Sequence, residues 1–301
     1  MSRLVAAVAV IAVGFALTQL PDPPAPPQDL SATPLYQLSE TQLDQHLRFL
    51  AASEPDPVRR LARLAEQAIG QPHEPAVLGE GPYDPADARP MYAIDRADNT
   101  SFVEQTLAMA VASDFESFFL VLQALRYKGG RVSTATRNHN LLADWPGNAQ
   151  FLLDDLTESL AGGMAWVPVH QIVQRKAFLQ QRFHLAADVP DEKFTGTCIP
   201  RVYLYKVLPE LRAGDVVLVI TGNDRQQFCQ EIGLMLHEPA DAEKPLRLLE
   251  SLAPAAAKTV FRDTVIARKD ILGFKFLRLR GDAVTAAAAQ AERMRTLITP
   301  S

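Results

Sequence analysis

The sequence predicts an α+β fold, with helices in the first half of the chain and strands in the second. Apolar residues recur at helical spacing in several segments between residues 40 and 160. After residue 200, short runs rich in β-branched and aromatic residues are separated by Gly, Pro and Asn, which is typical of strands. A parallel sheet is typically built from strands that alternate with helices along the chain, and this sequence does not show that alternation. We therefore expect helices packed on one antiparallel sheet.

Composition indicates a globular protein that does not bind nucleic acid. The chain has 301 residues, of which 48% are hydrophobic, enough for a packed core. Its 30 basic and 35 acidic residues give a formal net charge of -5. A chain without a basic excess lacks the charge that attracts a phosphate backbone. Nucleic acid is therefore excluded as an expected partner.

The N-terminus predicts an export segment. Met1-Ser2-Arg3 is followed by an uncharged apolar run from Leu4 to Leu17. This run is shorter than the roughly 20 residues that a spanning helix needs, and it fits a secretory signal. We predict a signal peptide or N-terminal anchor over residues 1–20, with residues 4–20 as the membrane tether if it is not cleaved; the alternative is a buried helix. The prolines of residues 21–35 predict an extended linker.

The next segment, residues 36–90, is predicted to be a helical extension followed by a loop. Ser39-Glu40-Thr41-Gln42 is a capping-box pattern that opens one helix, and Asp56-Pro57 opens a second that ends near Gly70. Residues 71–91 are rich in Pro and Gly, which indicates a surface connection. The main domain is then predicted over residues 91–301.

A helix that begins at Asn99 opens this domain. Asp98 is a suitable N-cap, and Val103 and Leu107 follow at helical spacing. The further predicted elements are helices from about Asp114 to Leu125 and Asn148 to Leu160, strands at Arg201 to Leu204, Asp215 to Thr221, Phe228 to Leu236 and Phe274 to Leu279, and a helix over residues 282–298. The two cysteines, Cys198 and Cys229, either pair or are two buried small side chains.

Five short strings between about residues 90 and 280 together carry a family resemblance. They are Asp98-Asn99-Thr100-Ser101-Phe102-Val103-Glu104, Arg126-Tyr127-Lys128-Gly129-Gly130, Arg137-Asn138-His139-Asn140 with Asp144-Trp145, Cys198-Ile199-Pro200 with Gly214-Asp215-Val216-Val217, and Ile271-Leu272-Gly273-Phe274-Lys275-Phe276-Leu277-Arg278. In this order they resemble the N-acetylmuramoyl-L-alanine amidase-like domains, within the NlpC-like, papain-fold cell-wall hydrolases. The resemblance implies a papain-like, NlpC-type α+β domain in which the Asn99 helix packs on an antiparallel sheet.

The same resemblance implies that catalysis has been lost. The superfamily is expected to use a cysteine at the helix start, a histidine on a following strand and a third polar residue that orients the histidine. Asn99 stands at the cysteine position, and Glu231 of Gln230-Glu231-Ile232-Gly233 stands at the histidine position. The third residue is sought in Leu249-Glu250-Ser251, which also lacks an imidazole. An amide is not a nucleophile, so we expect a pseudoenzyme.

The expected ligand-binding residues surround this helix start or belong to the family strings. They are Asp98, Asn99, Ser101, Glu104, Arg137, His139, Trp145 and Glu231. Several have structural alternatives: Asp98 as a helix cap, Glu104 in an ordinary hydrogen bond, and His139 as a support for its loop. A carboxylate cluster of Asp98, Glu104 and Glu231 and a replacement nucleophile at Ser101 are further alternatives. Trp145 and Trp166 are candidates for lining a groove.

No cofactor and no metal are expected, because His73, His170, His184 and His237 show no metal-ligand spacing. The expected partner is a peptidoglycan fragment or an envelope protein, met in the periplasm by an exported chain that is free or anchored to the inner membrane. Two alternatives remain. One is an active cell-wall amidase or peptidase with a rearranged catalytic site, and the other is an envelope scaffolding subunit.

Overall fold

Helices and one large sheet build the fold in the computed structural model, which describes residues 26–164, 167–223, 226–238 and 245–298. Over these ranges the α-helices are α1 (Glu40–Ser53), α2 (Pro57–Gln67), α3 (Asn99–Val111), α4 (Phe115–Arg126), α5 (Trp145–Asn148), α6 (Thr157–Ala161), α7 (Arg175–Phe183), α8 (Leu204–Val207), α9 (Phe261–Ala267) and α10 (Ala283–Ile298). The strands are β1 (Leu153–Asp155), β2 (Val167–Val173), β3 (Glu192–Pro200), β4 (Val216–Asn223), β5 (Gln226–His237), β6 (Leu246–Leu252), β7 (Ala255–Val260) and β8 (Ile271–Leu279). The predicted export segment and Trp166 lie outside the described residues.

The strands of the described ranges form one eight-stranded sheet. Its order is β2-β3-β8-β4-β5-β6-β7, and β1 pairs with β8 beside this path. Every pair is antiparallel. The predicted α+β class with an antiparallel sheet and N-terminal helices is therefore confirmed.

Local capping explains why the N-terminal and central helices begin where they do. Ser39 and Gln42 form the predicted capping box of α1, and the Asp56 carboxylate caps α2, which has Pro57 in its first turn. In α3, the backbone N–H of Ser101 donates to Asp98 Oδ1 at 2.7 Å. The Asp98 N–H donates in return to Ser101 Oγ at 2.9 Å. These reciprocal bonds satisfy N–H groups that no helix can satisfy internally.

One hydrophobic core joins the helices to the sheet. α3 is buried along nearly its whole length, and it contacts α2, α4, β5 and β6. Leu47 of α1 and Leu64 of α2 belong to the same buried cluster as Phe102 of α3 and Leu234 of β5. The other face of the sheet packs on a second cluster around Phe261, Phe274 and Phe276. The helical extension is therefore part of the core that holds α3 in place.

Two predicted elements are wrong. Arg201 to Leu204 is a 3-10 turn that continues into α8 rather than a strand. It follows β3, whose last residue is Pro200, and proline cannot donate to a ladder. Residues 148–160, predicted as one helix, contain a 3-10 turn, the short strand β1 and the start of α6. Here β1 pairs with β8, so sheet formation overrides the helical spacing.

Cys198 and Cys229 are not joined by a disulfide. Cys198 is buried in β3, and Cys229 lies half-buried on β5. No α-helix within the described part of the chain is both long and apolar enough to cross a membrane.

Candidate functional site

The candidate site lies where α3 begins, at a gap between two strands of the sheet. β5 pairs with β6 only from Leu234 to His237. N-terminal to Leu234, β5 does not pair with β6, and the N-terminal end of α3 faces both strands. Ser251 of β6 reaches this end of the helix, because its hydroxyl donates to the carbonyl of Ala97 at 2.9 Å. The topology therefore brings the helix start against residues 231–233 and 250–251.

At this gap, the Asn99 side chain accepts a hydrogen bond from β5 that a neighbouring strand would otherwise accept. The backbone N–H of Ile232 donates to Asn99 Oδ1 at 3.0 Å. This N–H would be unsatisfied without the amide, since Ile232 lies in β5 beyond the end of the β5–β6 ladder. The side chain is buried, with 7% of its surface exposed. Asn99 therefore has a structural hydrogen bond at the position where the sequence predicted a former nucleophile.

Glu231 forms an ion pair that the sequence analysis missed. Its carboxylate contacts the Arg268 guanidinium, which also pairs with Asp270. Arg268 follows α9 and lies 37 residues further along the chain, so local spacing gives no signal for the pair. Glu231 is thus engaged in an ion pair at the position where the resemblance expects a base.

A second carboxyl group, Glu250, lies beside this ion pair. It is 5% exposed, and burial raises its pKa to about 7. The negative charge of Glu231 raises the pKa of Glu250 further, whereas Arg268 opposes the shift. Glu231 of β5 thus acts electrostatically on Glu250 of β6, and Asn99 of α3 contacts the residue that follows Glu231.

Neither Ser101 nor Cys229 provides an evident nucleophile. The Ser101 hydroxyl is buried and takes part in the capping box with Asp98. Burial raises the pKa of the Cys229 thiol to about 12, and the thiolate is the reactive form. Asp98 acts as the helix cap, which is the structural alternative for this residue.

Glu104 and Trp145 form a buried pair in the core rather than a ligand contact. The indole Nε1–H of Trp145 donates to Glu104 Oε1 at 2.9 Å. Burial raises the pKa of Glu104 to about 7, and Trp145 has no exposed surface. The protein encloses both side chains, and for Glu104 the ordinary hydrogen bond is the structural alternative.

Arg137 and His139 support the loop that follows α4. Arg137 pairs with Glu80 and Asp87, both at 2.9 Å. His139 Nε2 lies 2.7 Å from the Thr134 carbonyl, which it can contact only as a donor. The ring packs against Phe178 and Phe183 of α7, and burial lowers the pKa of His139 to about 4. His139 is thus a structural histidine, although one part of it reaches a groove.

A groove with a volume of about 1440 Å³ lies on the surface of the described residues. It runs from the helix start past β2, β3 and α7. Its lining includes Thr100, His139, Asn140, Gln171, Phe178, Phe194, Gln227, Phe228, Cys229 and Gln230. The lining combines amide and aromatic side chains with the cationic side chains of Arg175 and Lys193. The sequence analysis missed most of these residues, because they come from separate segments without a shared motif.

No group of three or more His, Cys, Asp and Glu side chains in the described ranges is placed to hold a metal ion.

Comparison with solved structures places the chain among proteins with the same fold. A protein from Legionella pneumophila superposes with a TM-score of 0.68 at 18% identity, covering 80% of this chain and 94% of the other. An N-acetylmuramoyl-L-alanine amidase from Bacteroides uniformis superposes with a TM-score of 0.59 at 17% identity, covering 74% of this chain and 99% of the other. No curated protein matches the chain in sequence. At these identities the likeness shows a shared α+β fold.

The family follows from the sequence match. Residues 63–240 match the AmiA-like family, described as N-acetylmuramoyl-L-alanine amidase-like. This range covers more than half of the chain and contains α3, the residues that line the groove and all of β5. The chain belongs to the N-acetylmuramoyl-L-alanine amidase-like family.

Proposed function

We propose that this protein is a catalytically inactive member of the amidase-like family that binds peptidoglycan stem peptides. The observation that carries the proposal is the engagement of Asn99 and Glu231. Asn99 has a backbone hydrogen bond to Ile232, and Glu231 is paired with Arg268. Amide hydrolysis needs an activated nucleophile and a base, and neither side chain provides one in this arrangement.

The arrangement also supports the finer assignment of a papain-like, NlpC-type domain. A helix start that packs against an antiparallel sheet, with Asn99 on α3, Glu231 on β5 and Glu250 on β6, has the layout expected for a nucleophile, a base and an orienting residue. In this proposal those three positions are the degenerate remains of the catalytic site.

The groove favours a protein that binds a ligand over one that keeps the family fold for a structural role alone. The groove starts at Thr100, directly after Asn99, and extends away from it along amide and aromatic side chains. Phe178 and Phe228 expose 42% and 41% of their surfaces. Exposed aromatic side chains in a concave surface are typical of binding sites. The predicted export segment would deliver the protein to the periplasm, where peptidoglycan is found.

Co-sedimentation with purified peptidoglycan tests this function. The full chain is expected to pellet with peptidoglycan, and Phe228→Ser is expected to weaken binding at least fivefold because it removes an aromatic contact in the groove. Tyr205→Ser is the matched control, since Tyr205 is an exposed aromatic residue on α8 that does not line the groove.

Two results would count against the proposal. One is a full chain that does not bind peptidoglycan or soluble muropeptides but is recovered with a stable envelope protein, which would favour the scaffolding alternative. The other is equal loss of binding in both Ser variants, which would show that the groove is not the binding surface.

A further inference from the structure

Two short helical segments on one face of the sheet expose apolar side chains to solvent. Val202 lies in the 3-10 turn before α8, Tyr205 lies on α8, and Ile266 lies on α9. Their exposed fractions are 71%, 66% and 62%, and among the other large apolar side chains of the described residues only Ile172 is comparably exposed. Single exposed apolar residues are ordinary, so the question is whether these three lie together.

The two segments lie side by side. Arg201 Nη2 donates to the carbonyl oxygens of Val265 at 2.9 Å and Ile266 at 3.3 Å, so the next residue, Val202, lies close to the end of α9. Tyr205 is three residues after Val202, and residues at this spacing lie on the same side of a helical turn. The three exposed side chains, Val202, Tyr205 and Ile266, therefore belong to one surface, the α8–α9 surface.

The opposite side of both segments is already buried in the core. Leu204 and Val207 of α8 belong to the second buried cluster, together with Phe261 and Val265 of α9. These residues hold α8 and α9 against the sheet, so the apolar side chains on the outer side cannot turn inward. Nothing within the described ranges covers them.

Cationic side chains border the α8–α9 surface. Lys206 Nζ lies 5.9 Å from the ring centroid of Tyr205. Arg262 lies one turn before Ile266 on α9, and Lys269 lies two residues after the end of that helix; both are exposed. None of these three cations has an ion-pair partner in the part of the chain that the structure describes. Their charge is therefore available to an external anion.

The charge of these segments is opposite to that of the whole chain. Residues 201–210 and 261–270 carry five cationic and three acidic side chains, whereas the chain has a formal net charge of -5. One of the acidic side chains, Asp270, is paired with Arg268. An anionic partner would be attracted to this surface and repelled by the protein as a whole.

Aliphatic and tyrosine side chains bordered by Lys and Arg are typical of surfaces that bind the membrane interface. The apolar side chains enter the boundary of the acyl chains, while the cations reach the lipid phosphates. A peptide segment is usually bound in a concave site instead. Val202, Tyr205 and Ile266 project from helical turns, and none of them lines the groove described above.

We propose that the α8–α9 surface binds an anionic lipid membrane, with its three apolar side chains in the interface and its cations on lipid phosphates. Phosphatidylglycerol attracts such cations, whereas the zwitterionic phosphatidylcholine provides no net charge. The surface shares no residue with the groove, so this inference goes beyond the proposed function and can fail or hold independently of it.

A fluorescent label on the surface tests the inference in the full chain. Ile266→Cys is labelled with nitrobenzoxadiazole, a dye whose emission increases when it leaves water, and mixed with vesicles of phosphatidylglycerol and phosphatidylethanolamine in equal parts. We expect the emission to rise about threefold, and much less with phosphatidylcholine vesicles. The unmodified protein, treated identically, corrects for any dye on Cys229.

Val284→Cys is the control position for the label. Val284 is an exposed apolar residue of α10, which packs on the first buried cluster and therefore on the other face of the sheet. Its emission should not change. If residues 1–20 alone inserted into the vesicles, both labels would remain in water.

Charge reversal on the surface provides an independent variant. Lys206→Glu combined with Arg262→Glu is expected to raise the lipid concentration for half of the emission change at Ile266→Cys about tenfold. Arg293→Glu reverses an exposed cation on α10 and is the matched control, which should leave this concentration unchanged.

Several results would overturn the inference. They are an unchanged label at Ile266→Cys, an equal rise at Val284→Cys, and an equal rise with phosphatidylcholine. A rise without lipid that grows with protein concentration would show that a second copy covers the surface. A rise with inner-membrane vesicles but not with pure lipid would assign the surface to a membrane protein. Each result leaves the proposed function standing, because co-sedimentation with purified peptidoglycan measures it separately.

Discussion

At the residue scale, the structural role of Asn99 depends on a hydrogen-bond partner far away in the sequence. The sequence places an amide in the first turn of a helix, where a functional amide and an acceptable helix residue are equally good interpretations. The structure shows that its oxygen accepts from Ile232, 133 positions further along the chain. Asn99 therefore joins a helix to a strand.

Replacing this residue should lower stability. Asn99→Ala leaves the buried Ile232 N–H without an acceptor, so we expect the free energy of unfolding to fall by about 1–2 kcal/mol. Urea denaturation followed by far-UV circular dichroism measures the change. Thr100→Ala, one position along the helix and on the groove side, is the control and should be close to neutral. A neutral Asn99→Ala would show that the bond to Ile232 contributes nothing.

Glu250 predicts a pH dependence of stability. Its pKa is raised from an ordinary value of 4.5 to about 7 in the folded protein. Between these values the unfolded chain ionises Glu250 while the folded protein keeps it protonated, so stability falls as pH rises from about 4.5 to 7. The loss is complete above the folded pKa and amounts to about 3 kcal/mol at most.

Glu250→Gln is the variant that isolates this contribution. An amide does not titrate, so the variant should lose less stability than the unmodified protein when urea denaturation at pH 5 is compared with pH 8. Glu104→Gln is a useful companion, because burial also raises the pKa of Glu104 to about 7 and Gln keeps an acceptor for Trp145. An unchanged pH slope in Glu250→Gln would contradict the assignment.

At the element scale, local signals located the helices that begin with a cap and missed the strands that lack an apolar pattern. Asp98 and Ser101 lie three residues apart, so the start of α3 could be read from a few neighbouring residues. β7 consists of Ala255–Val260, and its small side chains carry little periodicity. Such a strand is defined by its pairing with β6, which the sequence does not display.

Gly273 of β8 provides a test of how closely β8 packs against β3. A Cβ at Gly273 of β8 would overlap the Ile199 carbonyl oxygen and approach Cys198 Sγ to 2.8 Å. Gly273→Ala must therefore separate β8 from β3, and we expect a loss of about 3 kcal/mol in thermal or urea unfolding. Gly147→Ala is the control, because a Cβ there meets nothing within 4 Å. Equal stability of the two variants would disprove the close approach.

At the scale of the whole molecule, the groove was the part that the sequence could not predict. Its lining combines Thr100 of α3, Phe178 of α7 and Phe228 of β5, which no local pattern connects. The family strings directed attention to α3 and β5. They did not show that Arg268 neutralises Glu231, or that Trp145 is enclosed by the core.

The shared core also predicts how the chain folds. Residues 91–301 alone would expose the surface of α3 and α4 that packs on Leu47 and Leu64, since all belong to one buried cluster. We expect this fragment to lack cooperative unfolding and near-UV circular dichroism, whereas residues 26–301 retain both. A cooperatively folded 91–301 fragment would show that the rest of the chain folds without the helical extension.

The central claim is that the family fold is kept here without amide hydrolysis. The most direct measurement incubates the full chain with muropeptides and detects new amino groups on alanine by mass spectrometry. We predict no cleavage above the level of heat-denatured protein. Cleavage by the unmodified protein that is lost in Asn99→Ala or Glu231→Ala would contradict the account and establish an active site with rearranged chemistry.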